Sequence, residues 1–237
     1  MADKRSVGRK LVGWVTPPLP GPQVIEGRAV RLERMDADTH AADLYASYSG
    51  HDDLWDYMPA GPFSSASAYH RWVKDSAMGT DPMFYVMRDS TSGHAGGVAA
   101  FMRVTPEHGS IEVGNICIAP VMQRTVAATE AMFLMMDWAF RAGYRRYEWK
   151  CNALNLPSRR AAQRYGYSYE GVFRQHFIVK GRNRDTAWFS VIDSEWSALR
   201  EAYLAWFAPS NFDAAGKQRE SLADLTRLVR AASDPLV

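Results

Sequence analysis

Residues Asn115 to Ala139 read NICIAPVMQRTVAATEAMFLMMDWA, and this stretch decides the predicted fold. Ile116, Cys117 and Ile118 form a compact apolar run with β-branched ends, which predicts a covered strand. Pro120 ends that strand because proline has no N–H group to donate to a sheet ladder. Beyond the following loop the apolar residues recur at helical spacing. The stretch therefore predicts a buried strand, a short loop and a long helix.

The loop between this strand and this helix is a candidate anion site. It contains seven residues: Gln123, Arg124, Thr125, Val126, Ala127, Ala128 and Thr129. The start of a helix offers free backbone N–H groups and the positive end of the helix dipole, and both favour a bound anion. Arg124 adds a formal positive charge. The small side chains of Ala127 and Ala128 leave room for a phosphate to approach the backbone.

This arrangement resembles the coenzyme A pyrophosphate loop of the GNAT (GCN5-related) N-acetyltransferases, whose usual pattern is Q/R-x-x-G-x-G/A. Gln123 fits the first position and Ala128 the last, whereas Val126 stands at the central glycine. A second stretch, N-x-x-S…G-Y…E-G…R between Asn155 and Arg174, is similar to the signature of the ribosomal-protein (RimJ/RimL-like) branch of that family. Together the similar segments span residues 28–196.

The resemblance implies an α/β (α+β) fold of GNAT type. Its sheet is expected to be mixed and mostly antiparallel, with splayed central strands and helices on both faces. It also implies acetyl-CoA as co-substrate and no metal. The backbone of Ile116, Cys117 and Ile118 would run beside the pantetheine, and the loop amides from Arg124 to Thr129 would bind the pyrophosphate. Asn155 would fix the pantetheine arm.

The implied reaction moves the acetyl group to a primary amine by direct attack in a ternary complex. Ser158 matches the serine of N-x-x-S and is the candidate proton donor to the leaving thiolate; the alternative is a first-turn helix hydroxyl. Glu112, in E-V-G-N, is a candidate base acting through water, or a residue on the solvent face. His176 is a second candidate base, although a lone strand histidine is more often structural. Asn115 is a candidate to order the water.

Arg174 and Asp185 also match the branch pattern. If they form a buried pair across the final hairpin, their role is expected to be structural rather than catalytic.

An unusually aromatic loop, HDDLWDYMPAGPF at residues 51–63, is the candidate acceptor site. Loops are mostly polar surface, so Trp55, Tyr57 and Phe63 favour a hydrophobic acceptor pocket. Phe84, on the next predicted strand, is included in it. The alternative is a loop that tucks under its own aromatic side chains. The acceptor is expected to be a small molecule or a protein N-terminus.

Composition narrows the class of protein. Twenty-eight basic against 26 acidic residues give the 237-residue chain a net charge of +2, which does not favour nucleic-acid or membrane binding. Cys117 and Cys151 form no C-x-x-C motif and are expected to be reduced thiols. No apolar run approaches the ~20 residues of a membrane helix. These features predict a cytoplasmic protein.

Three segments are predicted along the chain: a basic, proline-rich arm at 1–23, an acyltransferase domain at 24–208, and an extension with a short helix at 209–237. The arm is either a strap in a homodimer or a loose tail.

Two further functions stay open. Val126, the basic N-terminal arm and the basic turn from Lys180 to Arg184 would suit another donor, either a different acyl-CoA or an aminoacyl-tRNA. Nucleic acid is therefore expected as a partner only if tRNA is donor or acceptor. The other possibility is a non-catalytic module that binds acyl-CoA.

Overall fold

The computed structural model describes residues 7–237, so Lys4 and Arg5 of the predicted basic arm lie outside it. The strands are β1 (Val24–Glu26), β2 (Val30–Arg34), β3 (Met83–Asp89), β4 (Ala95–Thr105), β5 (Ser110–Ile118), β6 (Arg146–Asn152), β7 (Ser168–Val179) and β8 (Arg182–Ile192). The helices are α1 (Ala37–Tyr48), α2 (Ala66–Trp72), α3 (Val126–Arg141), α4 (Leu156–Arg164), α5 (Asp193–Phe207) and α6 (Leu222–Arg227).

All eight strands join one sheet in the order β1-β2-β3-β4-β5-β6-β8-β7. Each neighbouring pair is antiparallel except β5 and β6, which are parallel. The predicted mixed, mostly antiparallel sheet is therefore confirmed. Strand β1 was not predicted from the sequence.

The helices begin where short polar side chains cap them. Asp36 accepts a hydrogen bond from the N–H of Thr39 at the start of α1, and Ser65 does the same for α2. Thr125 caps α3 and Asn155 caps α4. Gly143, two residues beyond α3, has a φ of 99°, a left-handed conformation that glycine adopts readily.

The two faces of the sheet are covered differently. On one face α3 and α5 pack over a continuous apolar core that draws residues from β2 to β8. On the other face α1 and α2 cover a second apolar cluster, which contains no residue of β6, β7 or β8. That half of the second face carries polar and charged side chains instead.

The sheet opens between its two parallel strands. β5 and β6 pair from Ser110–Arg146 to Val113–Trp149, and both strands continue beyond that point without pairing to each other. Asn115 lies at the opening with a φ of 50°, in an irregularity of the pairing between β4 and β5. A bulge of this kind bends a strand and re-aims its side chains. The predicted splay of the central strands is thus present.

The segments outside the central domain pack onto it. The hydroxyl of Tyr144 donates to the carbonyl of Pro18 at 2.9 Å. The hydroxyl of Tyr85 donates to the carbonyl of Pro22 at 2.7 Å. These bonds hold the part of the arm between residues 7 and 23 against the sheet. The predicted helix of the C-terminal extension is α6. A role for the arm in a dimer stays a prediction.

At the final hairpin one local prediction was wrong and the condition attached to another is not met. The turn is not the five residues from Lys180 to Arg184 but only Lys180 and Gly181, both with positive φ, which suits a tight two-residue hairpin. Asp185 forms no buried pair with Arg174. Its carboxylate accepts hydrogen bonds from the N–H of Gln175 at 2.7 Å and the amide of Asn183 at 2.9 Å, and so fixes a bulge in β7.

Across residues 7–237, every helix falls short of the length and apolar character that a bilayer span requires.

Candidate active site

The unpaired part of β5 leads directly into the predicted anion loop. The hydroxyl of Thr125 accepts from the N–H of Ala128 at 3.1 Å and donates to the carbonyl of Met122 at 2.7 Å. Within residues 7–237, three N–H groups at this helix start have no acceptor: those of Arg124, Val126 and Ala127. The predicted set of phosphate-binding amides thus narrows to these three.

Gln123 is engaged within the loop itself. Its side-chain amide donates to the carbonyl of Ile118 at 2.9 Å, and its backbone N–H donates to the carbonyl of Ala119 at 3.1 Å. Thr129 is buried, and its hydroxyl donates to the carbonyl of Thr125 while accepting from Arg164. These side chains shape the loop, and a direct contact from them to a cofactor stays a prediction.

Arg124 has the exposure and the unpaired charge that binding an anion would require. Its side chain is exposed, and in the described part of the chain it pairs with no carboxylate. Its backbone has a φ of 63°, a left-handed conformation that is strained for any residue with a Cβ atom. The loop therefore holds Arg124 in an unfavourable conformation at the start of α3.

The start of α4 presents the two residues of the predicted N-x-x-S pattern. The side-chain oxygen of Asn155 accepts from the N–H of Ser158 at 3.1 Å. The indole N–H of Trp149, on β6, donates to the hydroxyl oxygen of Ser158, also at 3.1 Å. Since the indole can only donate, the Ser158 proton points elsewhere, and the weakly accepting sulfur of the buried Cys151 is the group within its reach. Ser158 is both a helix first-turn hydroxyl and a hydroxyl free to donate.

Neither cysteine is a nucleophile at neutral pH. Burial raises the pKa of Cys117 to about 12 and that of Cys151 to about 11. Because the thiolate is the reactive form, both thiols stay protonated and inert. The site therefore lacks a cysteine that would carry the acyl group between two substrates.

Glu112 lies on the polar half of the second face and is only 2% exposed, so the alternative that it is a solvent-exposed residue is wrong. One carboxylate oxygen pairs with Arg103 at 2.8 Å and the other with Lys150 at 2.8 Å. Lys150 also pairs with Glu148 at 2.7 Å and lies 4.0 Å from the ring centre of Trp188. An amine or a water must compete with two cations for the Glu112 carboxylate.

His176 shares this polar environment and has a free nitrogen. Its ring centre lies 3.8 Å from that of Phe177 and 5.8 Å from that of Trp188. The buried Nδ1 atom has no hydrogen-bond partner within residues 7–237. Burial, together with the positive charges of Arg184 and Lys150, lowers the pKa of His176 below its usual value. The ring is thus neutral at pH 7 and able to accept a proton.

The aromatic loop closes one side of this region. The hydroxyl of Tyr57 donates to the carbonyl of Leu154 at 3.3 Å, and the ammonium group of Lys180 donates to the carbonyl of Trp55 at 2.8 Å. The loop is thereby tied both to the segment before α4 and to the turn between β7 and β8.

The aromatic side chains of the predicted acceptor pocket divide into two groups. Trp55 is 3% exposed and packs edge-on against Tyr48 and Phe63, and Phe84 is 2% exposed. For these two side chains the prediction of direct acceptor contact is corrected, because they pack in the core beneath the loop. Tyr57, 38% exposed, and the partly buried Phe63 keep accessible surface.

The candidate acid and base lie on opposite faces of the sheet. Successive residues of a strand point to opposite faces of the sheet, so Trp149 and Lys150 point apart. Ser158 contacts Trp149 on the face of α3 and α5, whereas Glu112 contacts Lys150 on the other face. His176 lies on that second face, on β7, which β8 separates from β6. Asn115, whose side chain is partly buried, lies at the opening between β5 and β6.

Sequence reasoning missed Trp149, Lys150, Arg184 and Tyr48, whose hydroxyl donates to the carbonyl of Cys117 at 3.1 Å. A signal was present on β6, where Arg146, Glu148 and Lys150 alternate with aromatic residues and a cysteine. Such alternation predicts one apolar and one polar face. It does not indicate that the polar face is part of the site.

The comparisons with known proteins agree with this geometry. The family model described as an acetyltransferase (GNAT) domain matches residues 29–168, more than half of the chain. The chain belongs to the GNAT family and is an N-acetyltransferase of that family. No curated protein matches the sequence at a significant level.

Solved structures support the same assignment. The chain is 45% identical to a GCN5-related N-acetyltransferase from Brucella melitensis, covering 91% of this chain and 99% of that one, with a TM-score of 0.88. It is 37% identical to a probable GNAT-family acetyltransferase from Chromobacterium violaceum ATCC 12472, covering 84% and 100%, with a TM-score of 0.77.

A more distantly similar solved structure contains bound ligands. The microcin C7 self-immunity acetyltransferase MccE, solved in complex with acetyl-CoA and AMP, is 19% identical over 70% of this chain and 93% of that one, with a TM-score of 0.62. The fold is therefore one that holds acetyl-CoA in MccE.

Proposed function

We propose that this enzyme transfers an acetyl group from acetyl-CoA to a primary amine by direct attack in a ternary complex. One observation carries the proposal. Beyond Val113 the side of β5 that faces β6 has no strand partner, and this open segment leads to three free N–H groups at the start of α3. An extended thioester with a pyrophosphate at its far end fits that combination.

The residues suited to the donor follow from this arrangement. The N–H groups of Arg124, Val126 and Ala127 would bind the pyrophosphate at the positive end of α3. The backbone of residues 116–118, which has no strand partner on the side of β6, would hydrogen-bond to pantetheine through the groups that Tyr48 and Gln123 leave free. Asn155, whose side-chain oxygen is used by Ser158, still has its NH₂ group to donate to the same arm.

The chemistry needs a base, an acid and no covalent enzyme intermediate. The acceptor nitrogen attacks the thioester carbonyl carbon, its proton passes to His176, and the bond between carbon and sulfur breaks. The leaving thiolate takes a proton from Ser158, directly or through water. Acid and base contributions of this kind are each worth roughly 10²–10⁴ in rate. Because both cysteines are protonated, direct transfer is favoured over an acetyl-cysteine intermediate.

We assign the chain to the RimJ/RimL-like branch on the strength of Asn155 and Ser158. A ribosomal-protein-serine acetyltransferase structure from Vibrio cholerae shares the fold at 20% identity, with a TM-score of 0.59. A likeness at that level does not carry the acceptor across, so the acceptor is defined here only as a primary amine.

Calorimetric titration with acetyl-CoA, followed by thiol release over a panel of amines, tests the proposal. We expect micromolar binding and release of free coenzyme A with at least one amine. Ser158→Ala should bind acetyl-CoA as the wild type does and release thiol far more slowly. Absence of acetyl-CoA binding would overturn the donor assignment, and propionyl-CoA and aminoacyl-tRNA would be titrated next.

A further inference from the structure

We propose that the acceptor amine carries a carboxylate, and that Arg184 binds this group. The inference rests on the proposed function, because it assigns one end of the acceptor of that same reaction. Arg184 matters because it is a partly buried cation of the polar face that pairs with no carboxylate among residues 7–237.

The contacts of Arg184 set it apart from its neighbours. It is partly buried, and its Nε atom donates to the hydroxyl of Thr186 at 3.2 Å. Within residues 7–237 no carboxylate lies within ion-pairing distance of it. Arg103 and Lys150, by contrast, share Glu112, and Lys150 also pairs with Glu148. The guanidinium thus keeps most of its donors free.

A cation in this position is unfavourable without a counter-ion. Removing a charge from water is costly unless the charge is paired. Burial, and the neighbouring charge of Arg103, lower the pKa of Arg184 accordingly. Apart from the exposed Arg182 at the hairpin end, four cations of the polar face (Arg103, Arg146, Lys150, Arg184) face three carboxylates (Glu112, Glu148, Glu170), which leaves one positive charge in excess. A single bound carboxylate would neutralise that excess.

Strand register places Arg184 beside the candidate base. Arg184 pairs directly with Phe177 across the hairpin, and its Cζ atom lies 5.6 Å from that ring centre. The ring of His176 lies 3.8 Å from the same phenyl ring. Arg184 and His176 therefore both contact Phe177, and a carboxylate bound by Arg184 would lie near an amine whose proton goes to His176.

The register also shows that this is one continuous surface. Asn152 pairs with Thr186, and Lys150 pairs with Trp188, on neighbouring strands. Paired residues project to the same face of a sheet, and residues two apart on one strand also share a face. Trp188, Thr186 and Arg184 therefore all lie on the face that carries Lys150 and Glu112. The same face adjoins the opening where β5 and β6 part.

Two sources of such a carboxylate are distinguished by matched acceptors. A free amino acid is compared with its amide, and an N-terminal peptide with a glutamate second residue is compared with the glutamine peptide. We expect the wild type to favour the anionic member of one pair by roughly 10- to 100-fold in kcat/KM, the range for hydrogen bonds to charged groups. A preference for the amino acid over its amide identifies a free amino acid as the source of the carboxylate. A preference for the glutamate peptide over the glutamine peptide identifies a side chain of a peptide acceptor.

Variants of Arg184 test the assignment. Arg184→Gln should abolish the preference, measured as the ratio of kcat/KM for the two members of a pair at one pH, and Arg184→Lys should keep part of it because the positive charge remains. Arg182→Gln is the matched control, since it removes an exposed arginine from the same strand and should leave the preference intact. Equal use of both members by the wild type, or equal effects of the two glutamine variants, would overturn the inference. Absence of thiol release with every amine would instead overturn the proposed function.

Discussion

The indole N–H of Trp149 donates a hydrogen bond to the hydroxyl oxygen of Ser158 at 3.1 Å, and thereby leaves the proton of that hydroxyl for another acceptor. Trp149 lies on β6 immediately before the strand leaves β5. The contact joins the end of the paired sheet to the first turn of α4. It places the candidate acid at the opening where a thioester sulfur is expected.

Removing the Ser158 hydroxyl should slow the chemical step without weakening donor binding. We expect Ser158→Ala to lower kcat on the order of 10²-fold, the lower end of the range for a general acid, and to leave the Kd for acetyl-CoA unchanged. Steady-state thiol release and calorimetry measure the two quantities. A kcat within about threefold of the wild type would show that Ser158 only caps the helix.

Removing only the hydrogen bond from Trp149 to Ser158 should also lower kcat, but by a smaller factor. Trp149→Phe keeps an aromatic ring in the core but cannot donate to Ser158, and we expect kcat to fall by about tenfold, the loss of one hydrogen bond. Trp138→Phe is the control, because Trp138 packs against Phe101 and away from α4. In the Ser158→Ala background the Trp149→Phe change should have no further effect on kcat. Additive losses would contradict the contact.

The pH dependence of kcat/KM should report His176. A base must be deprotonated, so the rate should fall as pH drops through the His176 pKa, which lies below the usual value of 6.5. Arg184, Lys150 and Arg103 lower that pKa, whereas Glu112 raises it. The fall of kcat/KM at low pH is the acidic limb of the pH profile. Arg184→Gln should therefore move this limb to higher pH, and Glu112→Gln should move it to lower pH.

His176→Asn should remove this limb and lower the rate at neutral pH by roughly 10²-fold. The pH profile is recorded with one amine throughout, so that the amine's own titration is common to all variants. An unchanged acidic limb in His176→Asn would transfer the role to another group. A limb that vanishes only in Glu112→Gln would identify Glu112 as the base.

The local chemistry of the chain predicted most of the fold. Pro120 and the cap residues Asp36, Ser65 and Asn155 determine where strands and helices end or begin, and these are short-range effects that a sequence displays. β5 contains the predicted apolar run and ends at Ile118, two residues before Pro120, as expected. The GNAT resemblance supplied the topology that periodicity alone does not give.

The candidate site was harder to predict because its contacts join distant parts of the chain. Trp55 and Tyr57 are two residues apart in one aromatic loop, yet Trp55 is buried and Tyr57 is 38% exposed. That difference depends on how α1 and α2 pack, which the loop sequence does not encode. Arg184 looked like part of a basic turn, and only its register opposite Phe177 shows that it lies on the polar face.

Arg124 should contribute to donor affinity as one exposed charge. Arg124→Ala is expected to weaken acetyl-CoA binding by up to about fivefold, the equivalent of ~1 kcal/mol for an exposed ion pair. Arg124→Gly should weaken binding equally but raise the melting temperature, because glycine relieves the left-handed backbone at φ 63°. Arg219→Ala, an exposed arginine of the C-terminal extension, is the control. Unchanged affinity in both Arg124 variants would leave the phosphate to the backbone amides alone.

The C-terminal extension should stabilise the helix that carries Ser158. Asp234 and Arg159 form a buried, two-bond ion pair with both N–O distances at 2.6 Å, and Arg159 also donates to the carbonyl of Ala153. Breaking such a pair leaves an uncompensated buried charge, which costs about 3–5 kcal/mol. Asp234→Ala should therefore lower the free energy of unfolding by about that amount, as measured by urea denaturation. Glu201→Ala, which removes a carboxylate that is largely exposed, is the control and should change little.

The same pair gives the sign of the pH dependence. Burial alone would raise the pKa of Asp234, but the hydrogen bonds from Arg159 outweigh it and lower that pKa below the usual 3.8. The stabilisation is therefore fully present above about pH 4 and is lost as pH falls through the lower folded-state pKa. Wild type and Asp234→Ala should differ most at neutral pH and converge in acid. A stability difference that stayed constant down to pH 2 would mean that Asp234 acts through packing rather than through its charge.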